Sequence, residues 1–304
     1  MKNASRIGLD INGDTIKMAE LLNSKDGSRL LSFGYRKIES GADTTLPGII
    51  NDVLSEAKSG SRDVVFGLSG PLVITRFISI PSMPDRDIKS ALAFEAEKNI
   101  PFSAEEINYD YQVLERGADK KLEVLLTAAK KELLDRYINI ARVAGLNLEV
   151  LDVDCFALAN AFLKNYQFSL DPNKTSALIN IEERHTSISI LRGEILGFAR
   201  DIQTGGRSLD EAASHASLSQ EIRLSFEYFE NRFGKSADDI YLSGDCSGSS
   251  GLKELLEDNL GVKSTLWDPF KAIIFDSKIP ASAVPENLRP GFAVCIGLAL
   301  RQGS

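Results

Sequence analysis

The sequence predicts an α/β protein of two lobes in which one structural plan occurs twice, with a smaller unit inserted in the first lobe. Its 304 residues exceed the size at which a single hydrophobic core keeps growing, so two domains or one large bilobed domain are expected. The stretch "RIGLDINGDTIKMAEL" at 6–21 reads as strand, polar turn and strand, and "ALINIEERHTSISILRGEIL" at 177–196 repeats that pattern. Laid over each other, the two stretches place Asn180 on Asp10, which indicates a duplicated plan.

The first lobe is predicted to cover residues 1–170. Its elements follow from alternating apolar residues for strands and from three- and four-residue apolar spacing for helices. After the opening hairpin come a strand at 30–39, a helix at 46–59 and a strand at 63–68, and after the insert a strand at 148–154 and a helix at 155–166.

The insert at residues 70–145 is predicted to be a β-α-β-β-α unit. Its order is a strand at 72–81, a helix at 85–100, strands at 107–115 and 121–129, and a helix at 131–144. Five apolar residues of its first helix recur at helical spacing, which predicts one buried stripe. They are Ile88, Ala91, Leu92, Ala96 and Ile100.

The second lobe is predicted to cover residues 171–304, after a polar, turn-rich hinge at 169–176. Besides the repeated hairpin it contains "DDIYLSGDCSGSSGLKELLEDNLG" at 238–261, a strand that runs into a glycine-rich turn and then a helix. A terminal apolar helix is expected from about Pro290.

Composition excludes several classes of protein. A net charge of −8 and a pI near 5.1 argue against nucleic-acid binding and against direct binding to anionic lipid, because both require a basic surface. The three cysteines, Cys155, Cys246 and Cys295, lack the paired spacing of a zinc site or a disulfide framework. We therefore expect no metal site, a reducing cytoplasmic setting, and membrane contact only through a partner.

The order of these motifs resembles the actin-like ATPases, which have a ribonuclease H-like fold in duplicate. With the inserted β-α-β-β-α unit, the chain is similar to the cell-division protein FtsA and, much more closely, to the type IV pilus assembly protein PilM family. The phrases that carry the resemblance are "ISIPSMPDRDIKSALAFEAEKNIPFSAEEINYDYQVL", "VLLTAAKKELLDRYINIARVAGLNLEVLDVDCFALANAF" and "IYLSGDCSGSSGLKELLEDNLGVKSTLWDPF".

This resemblance implies a component of the pilus machinery that binds the N-terminal tail of the bitopic inner-membrane protein PilN. The tail is expected in a groove beside the inserted unit, where Arg76 and Phe94 are candidate contacts. For Phe94 the alternative is a buried core residue, because aromatic side chains are usually inside. Self-association of copies is a further expectation.

The resemblance also implies ATP with magnesium at the first hairpin turn. There, backbone amides and a hydroxyl hold phosphate and an aspartate holds magnesium through water, and the chain offers these types. Asn12 stands where the family prefers glycine, but asparagine tolerates positive φ, so the turn can form. The first-turn candidates are Asp10, Asn12, Gly13, Thr15 and Lys17.

The second turn departs from the family. Asn180 replaces an aspartate, and Glu182 replaces a glycine whose backbone must approach phosphate. A carboxylate about 4 Å from a phosphate charge costs on the order of 4 kcal/mol at an effective dielectric of 20. Arg184 can offset part of this cost, or Glu182 can point into solvent. Asp245 is a further carboxylate where a small neutral residue is expected.

Three glycines complete the candidate nucleotide site. Gly205 and Gly206 lead towards a helix whose N-terminus can face phosphate, and Gly244 lies in the turn expected near adenine or the α-phosphate. The small subdomain that roofs the cleft in the family is reduced here near 211–219, where only "SHASL" separates two predicted helices. A nucleotide would be open to water on that side.

Two readings of function remain at this stage. One is a PilM-type scaffold with weak or absent nucleotide binding. The other is an ATP-controlled switch, in which Asp10→Ala abolishes magnesium-dependent binding. The cytoplasmic part of the type II secretion protein GspL, which shares the plan and continues into a membrane helix, is a further alternative. The residues leave open whether ATP with magnesium or no cofactor binds.

Overall fold

The structure is a computed structural model that describes residues 5–38, 44–117, 120–167, 169–206, 212–249 and 251–301, with only the backbone described at 212–215. The chain forms two compact units. Unit 1 comprises Met1–Leu68 and Ile140–Ser304, and unit 2 comprises Ser69–Asn139. The predicted boundary between lobes at residue 170 lies within unit 1 and stays a prediction.

The first sheet of unit 1 has six strands in the order β14-β3-β2-β1-β4-β8. β1 and β2 form an antiparallel hairpin that places Asp10 opposite Lys17, while β4 runs parallel to β1. The strands are β1 (Ser5–Asn12), β2 (Thr15–Ser24), β3 (Gly27–Lys37), β4 (Asp63–Leu68), β8 (Asn147–Val153) and β14 (Ile273–Phe275).

The second sheet of unit 1 has five strands in the order β11-β10-β9-β12-β13. β9, β10 and β11 are antiparallel neighbours, and β12 runs parallel to β9. The strands are β9 (Thr175–Ile181), β10 (Thr186–Arg192), β11 (Ile195–Ile202), β12 (Asp239–Ser243) and β13 (Ser264–Leu266).

The two sheets repeat one plan, which confirms the predicted duplicated fold class. In the first sheet β3 pairs with β2, β2 pairs with β1, and β4 lies parallel to β1. In the second sheet β11, β10, β9 and β12 are arranged in the same way. The side chains of β9 are buried along its whole length, as expected for a strand covered on both faces.

Helices cover both sheets. They are α1 (Leu46–Glu56), α4 (Asp154–Tyr166), α5 (Ala212–Phe233), α6 (Leu252–Leu260) and α7 (Ala293–Leu300). α7 packs against α4 so closely that a Cβ at Gly297 would overlap the carbonyl oxygen of Ala157. Trp267 is buried beside Phe162 of α4, with ring centroids 5.8 Å apart.

One prediction about the helices was wrong. The sequence was expected to give two helices separated by "SHASL", but α5 is a single helix through this stretch. It is continuous because Leu218, Ile222 and Phe229 share one helical face and are buried against the second sheet. The connection between β11 and β12 thus contains one helix, with residues 207–211 outside the described part of the chain.

Unit 2 contains the predicted β-α-β-β-α order. Its sheet has the strand order β5-β7-β6, and both pairings are antiparallel. The predicted apolar stripe of its first helix is buried at Ile88, Leu92 and Ala96. The elements are β5 (Val73–Pro81), α2 (Asp85–Asn99), β6 (Ile107–Arg116), β7 (Lys121–Lys130) and α3 (Lys131–Ala144), whose last residues belong to unit 1.

A membrane span is not found among the helices of the described residues, none of which is long and apolar enough.

Candidate functional site

The first hairpin turn joins β1 to β2 at Gly13, whose φ of 57° is the left-handed conformation that favours glycine. Asn12 does not adopt the positive φ considered for it. It continues β1 and lies opposite Thr15, whose hydroxyl donates to the Asn12 carbonyl oxygen at 3.3 Å. The turn therefore forms without strain at Asn12.

Lys17 lies at the centre of a buried ionic cluster. Its Nζ is 3.1 Å from Glu182 Oε2, 3.1 Å from Asp245 Oδ2 and 3.8 Å from Asp10 Oδ2. The Lys17 side chain is completely buried, while that of Asp245 retains 16% of its exposure. We call Lys17, Asp10, Glu182 and Asp245 the Lys17 cluster.

The carboxylate of Glu182 is held in place by the end of the second sheet. Asn180 Nδ2 donates to Glu182 Oε1 at 3.1 Å, and Asn180 Oδ1 accepts from the Ser243 hydroxyl at 2.9 Å. The backbone N–H of Asp245 donates to Glu182 Oε2 at 3.4 Å. Glu182 is 1% exposed, so the alternative that it points into solvent was wrong.

Asp245 reaches the cluster through a turn that requires glycine. Gly244 has a φ of 94°, and its N–H donates to the Pro290 carbonyl at 3.0 Å. At Gly291 a Cβ would overlap the Asp245 carboxylate. Gly291 could not be recognised from the sequence, since its only signal is a glycine after Pro290 at the start of an apolar helix.

Gly205 and Gly206 pack against the turn between β9 and β10. The N–H of Gly206 donates to the Glu182 carbonyl at 2.6 Å, and a Cβ at Gly205 would overlap the backbone of that turn. These glycines thus shape the backbone around Glu182. The helix start expected to follow them involves residues 207–211, which lie outside the described residues.

Arg184 does not offset the charge of Glu182, contrary to the expectation. Its Nη2 lies 2.6 Å from Asp14 Oδ1 in the first hairpin turn. The side chain of Asp14 is mostly buried, and that of Arg184 is 44% exposed. The pair joins the two repeated turns across the sheets, and Asp14 was not among the residues predicted for the site.

Burial sets the protonation of the cluster. It raises the pKa of Asp10 to about 7, although Lys17 acts in the opposite direction. Burial also raises the pKa of Glu182. For Lys17, burial alone would lower the pKa, but the three carboxylates outweigh it and raise the pKa above its usual value. The single positive charge of Lys17 thus faces three carboxyl groups.

These residues do not fit ATP with magnesium. The lysine expected to hold phosphate is already neutralised by two carboxylates of the second sheet, at the distance a phosphate oxygen would take. A phosphate would be placed against Glu182 and Asp245, and like charges at such distances repel strongly. Within the described residues, no group of three or more acidic, histidine or cysteine side chains is arranged to hold a metal ion.

The two candidate partner contacts lie in unit 2. Phe94 on α2 is 61% exposed, so the alternative of a buried core residue was wrong. Lys98 Nζ lies 4.0 Å from the centroid of the Phe94 ring, one helical turn along. Arg76 on β5 is exposed, and its Nε donates to the Asn99 carbonyl at the end of α2 at 3.2 Å.

Comparison with known families decides the relationship. A model of the type IV pilus assembly protein PilM matches residues 8–216 and 213–303. The chain belongs to the PilM family. The two matched segments overlap at 213–216, in the stretch where the sequence predicts a reduced subdomain.

Solved structures agree with this assignment. A chain of the "PilM-PilN type IV pilus biogenesis complex" is 28% identical, with a TM-score of 0.87 and 98% of each chain covered. A protein of actin-like ATPase fold and unknown function from Bacteroides thetaiotaomicron is 11% identical, with a TM-score of 0.55 over 99% of this chain and 97% of that one.

The cytoplasmic domain of EpsL, an inner-membrane component of the type II secretion system of Vibrio cholerae, is 12% identical, with a TM-score of 0.55 over 99% of this chain and 97% of that one. At these identities the likeness to EpsL and to the Bacteroides protein shows the fold alone, which is the predicted actin-like fold. The PilM assignment does not depend on either.

Proposed function

We propose that this PilM-family chain is a scaffold of type IV pilus assembly that binds the N-terminal cytoplasmic tail of a PilN-like inner-membrane protein and needs no bound nucleotide. The observation that carries the proposal is the match to a chain of the PilM–PilN complex over 98% of both chains. The chain then works on the cytoplasmic side of the inner membrane and reaches the membrane through this partner.

The Lys17 cluster supports the part of the proposal that concerns nucleotide. A switch driven by ATP requires a lysine that can accept phosphate, and here Glu182 and Asp245 neutralise Lys17 inside the chain. This favours a scaffold over an ATP-controlled switch.

Phe94 and Arg76 are the proposed contacts for the tail. An aromatic ring that is 61% exposed contributes little to the core, whereas burial of such a ring is a common source of binding energy at interfaces. Arg76 adds an exposed guanidinium that can pair with a carboxylate or a backbone carbonyl of the peptide.

The test is fluorescence anisotropy of a labelled synthetic peptide, the N-terminal cytoplasmic segment of the PilN-like protein of the same organism. We expect Phe94→Ala to weaken binding about thirtyfold, as for an interface hot spot of about 2 kcal/mol, and Arg76→Ala to weaken it about tenfold. The matched control is Tyr228→Ala on α5, another aromatic ring that is 56% exposed, which should bind as the wild type does.

No binding of the peptide by the wild type would overturn the proposed function. Peptide binding that is equally unaffected by Phe94→Ala and Tyr228→Ala would keep the partner and exclude α2 as its docking surface. Circular dichroism of each variant separates lost contacts from lost folding.

A further inference from the structure

We propose that the Lys17 cluster and the Arg184–Asp14 pair form a latch that holds the two sheets of unit 1 together at their hairpin ends without any bound ligand. This proposal goes beyond peptide binding and does not rest on it. The cleft between the two repeated halves then stays closed because side chains of the protein itself fill it.

The inner part of the latch crosses from one sheet to the other. Lys17 is on β2 of the first sheet, while Glu182 follows β9 and Asp245 follows β12 of the second sheet. Both cross-sheet distances are 3.1 Å, and the side chains of Lys17 and Glu182 are 0% and 2% exposed. Buried ion pairs are weakly screened by solvent, so this attraction is strongest where water is excluded.

The outer part of the latch joins the tips of the two hairpin turns. Here the first sheet supplies the negative charge and the second sheet the positive charge, the reverse of the inner part. Asp14 of the first turn accepts from Arg184 of the second turn at 2.6 Å. The aliphatic stem of Arg184 also lies against Gly13, where an added Cβ would be 3.0 Å from Arg184 Cδ. A more exposed pair, Lys37 with Glu183 at 3.9 Å, crosses at the same edge.

The second sheet supplies the negative charge that closes the inner part. Without Glu182 and Asp245, the one carboxylate left beside Lys17 among the described residues would be Asp10, which is on the same hairpin and 3.8 Å away. The link between sheets would then be lost, although the lysine would keep a partner. Because both carboxylates belong to the chain, closure needs no anion from outside.

Hydrogen exchange measured by mass spectrometry on the full chain tests the latch. The inner variant is the double substitution Glu182→Gln with Asp245→Asn, which keeps side-chain shape and removes both charges. The outer variant is Arg184→Ala, chosen because the Arg184 side chain is 44% exposed. The control is Arg200→Ala. Arg200 pairs with Glu221 at 2.7 Å and joins β11 of the second sheet to α5, so this pair does not connect the two sheets.

We expect amides of the two turns, residues 12–15 and 182–186, to exchange about tenfold faster in the inner variant and severalfold faster in the outer variant. The Arg200→Ala control should leave both turns unchanged. Magnesium and ATP added to the wild type should not slow exchange in either turn.

Unchanged exchange at both turns in the inner and outer variants would overturn the latch, and so would protection of the wild-type turns by ATP, since closure would then depend on a ligand. If the inner variant exchanges faster throughout unit 1, its effect is not specific to the two turns, and the exchange of the Arg184→Ala variant tests the latch instead. Faster exchange confined to the two turns supports the latch, and unchanged turns contradict it.

Discussion

At the scale of single residues, Glu182 sets the charge that faces Lys17 in the cleft between the sheets. Its carboxylate is buried and paired with Lys17, and Asn180 fixes its direction. Removal of one partner from a buried ion pair typically costs about 3–5 kcal/mol, because the remaining charge is left without compensation. The glutamate is therefore tolerated inside the fold because Lys17 faces it.

The raised pKa of Asp10 predicts a specific dependence of stability on pH. The folded protein keeps a proton on Asp10 up to a pKa of about 7, whereas the unfolded chain releases it near 3.8. The folded state thus binds more protons in this interval, so the free energy of unfolding falls as pH rises from about 4 to about 7. We expect this loss to be on the order of a few kcal/mol, and Asp10→Asn to lack it.

Urea unfolding between pH 4 and 8, followed by tryptophan fluorescence, measures this dependence. Trp267 is the only tryptophan and is buried in unit 1, so its emission reports the unit that contains the cluster. Comparison with Asp10→Asn cancels the contribution of other titrating groups. Parallel pH profiles of wild type and variant would show that Asp10 titrates normally.

The residues of the first turn could be predicted from sequence, but the cluster could not. Asp10 and Lys17 lie seven positions apart across a tight turn, which places them opposite each other in a hairpin. Glu182 and Asp245 are remote in sequence, and an acidic residue at a turn is usually in solvent. Only the approach of the second sheet shows that both carboxylates face Lys17.

At the scale of elements, the sequence predicts those that carry their own pattern. The strand at Asp63–Leu68 and the helix at Lys131–Ala144 were predicted with the bounds that the structure has. β14 has three residues and becomes a strand by pairing with β3, so no local pattern could indicate it. α5 was wrongly predicted as two helices separated at the serines of "SHASL". Its apolar face, which packs in the core, keeps it one continuous helix.

The contact between α4 and α7 predicts the effect of one methyl group. Gly297→Ala would place a Cβ against the backbone of Ala157, which cannot rotate away as a side chain can. We expect the free energy of unfolding to fall by roughly 1–3 kcal/mol through overpacking. Trp267 fluorescence during urea unfolding is a direct probe, because Trp267 contacts Phe162 on α4.

Gly48→Ala is the matched control for that substitution. Gly48 lies in the first turn of α1 with open space around its missing Cβ, so alanine should leave stability unchanged or raise it slightly. A Gly297→Ala protein as stable as the control would show that α7 can move away from α4 without cost.

At the scale of the whole molecule, duplication explains where the cluster lies. Each sheet ends its first hairpin with a polar turn, and the two turns meet, so the ends of the two repeats build one site together. The duplicated plan was predictable because both hairpins have readable patterns. The predicted reduction of the roof subdomain near 211–219 stays a prediction, as do the boundaries of the two lobes.

The measurement that tests the central claim most directly is isothermal titration of the full chain with the N-terminal cytoplasmic peptide of its PilN-like partner, with and without ATP and magnesium, beside a titration with ATP and magnesium alone. The account predicts peptide binding with the same Kd in both conditions and no heat of nucleotide binding. Micromolar binding of ATP that Asp10→Ala abolishes, with peptide affinity that depends on ATP, would contradict it and make the protein a nucleotide-controlled switch.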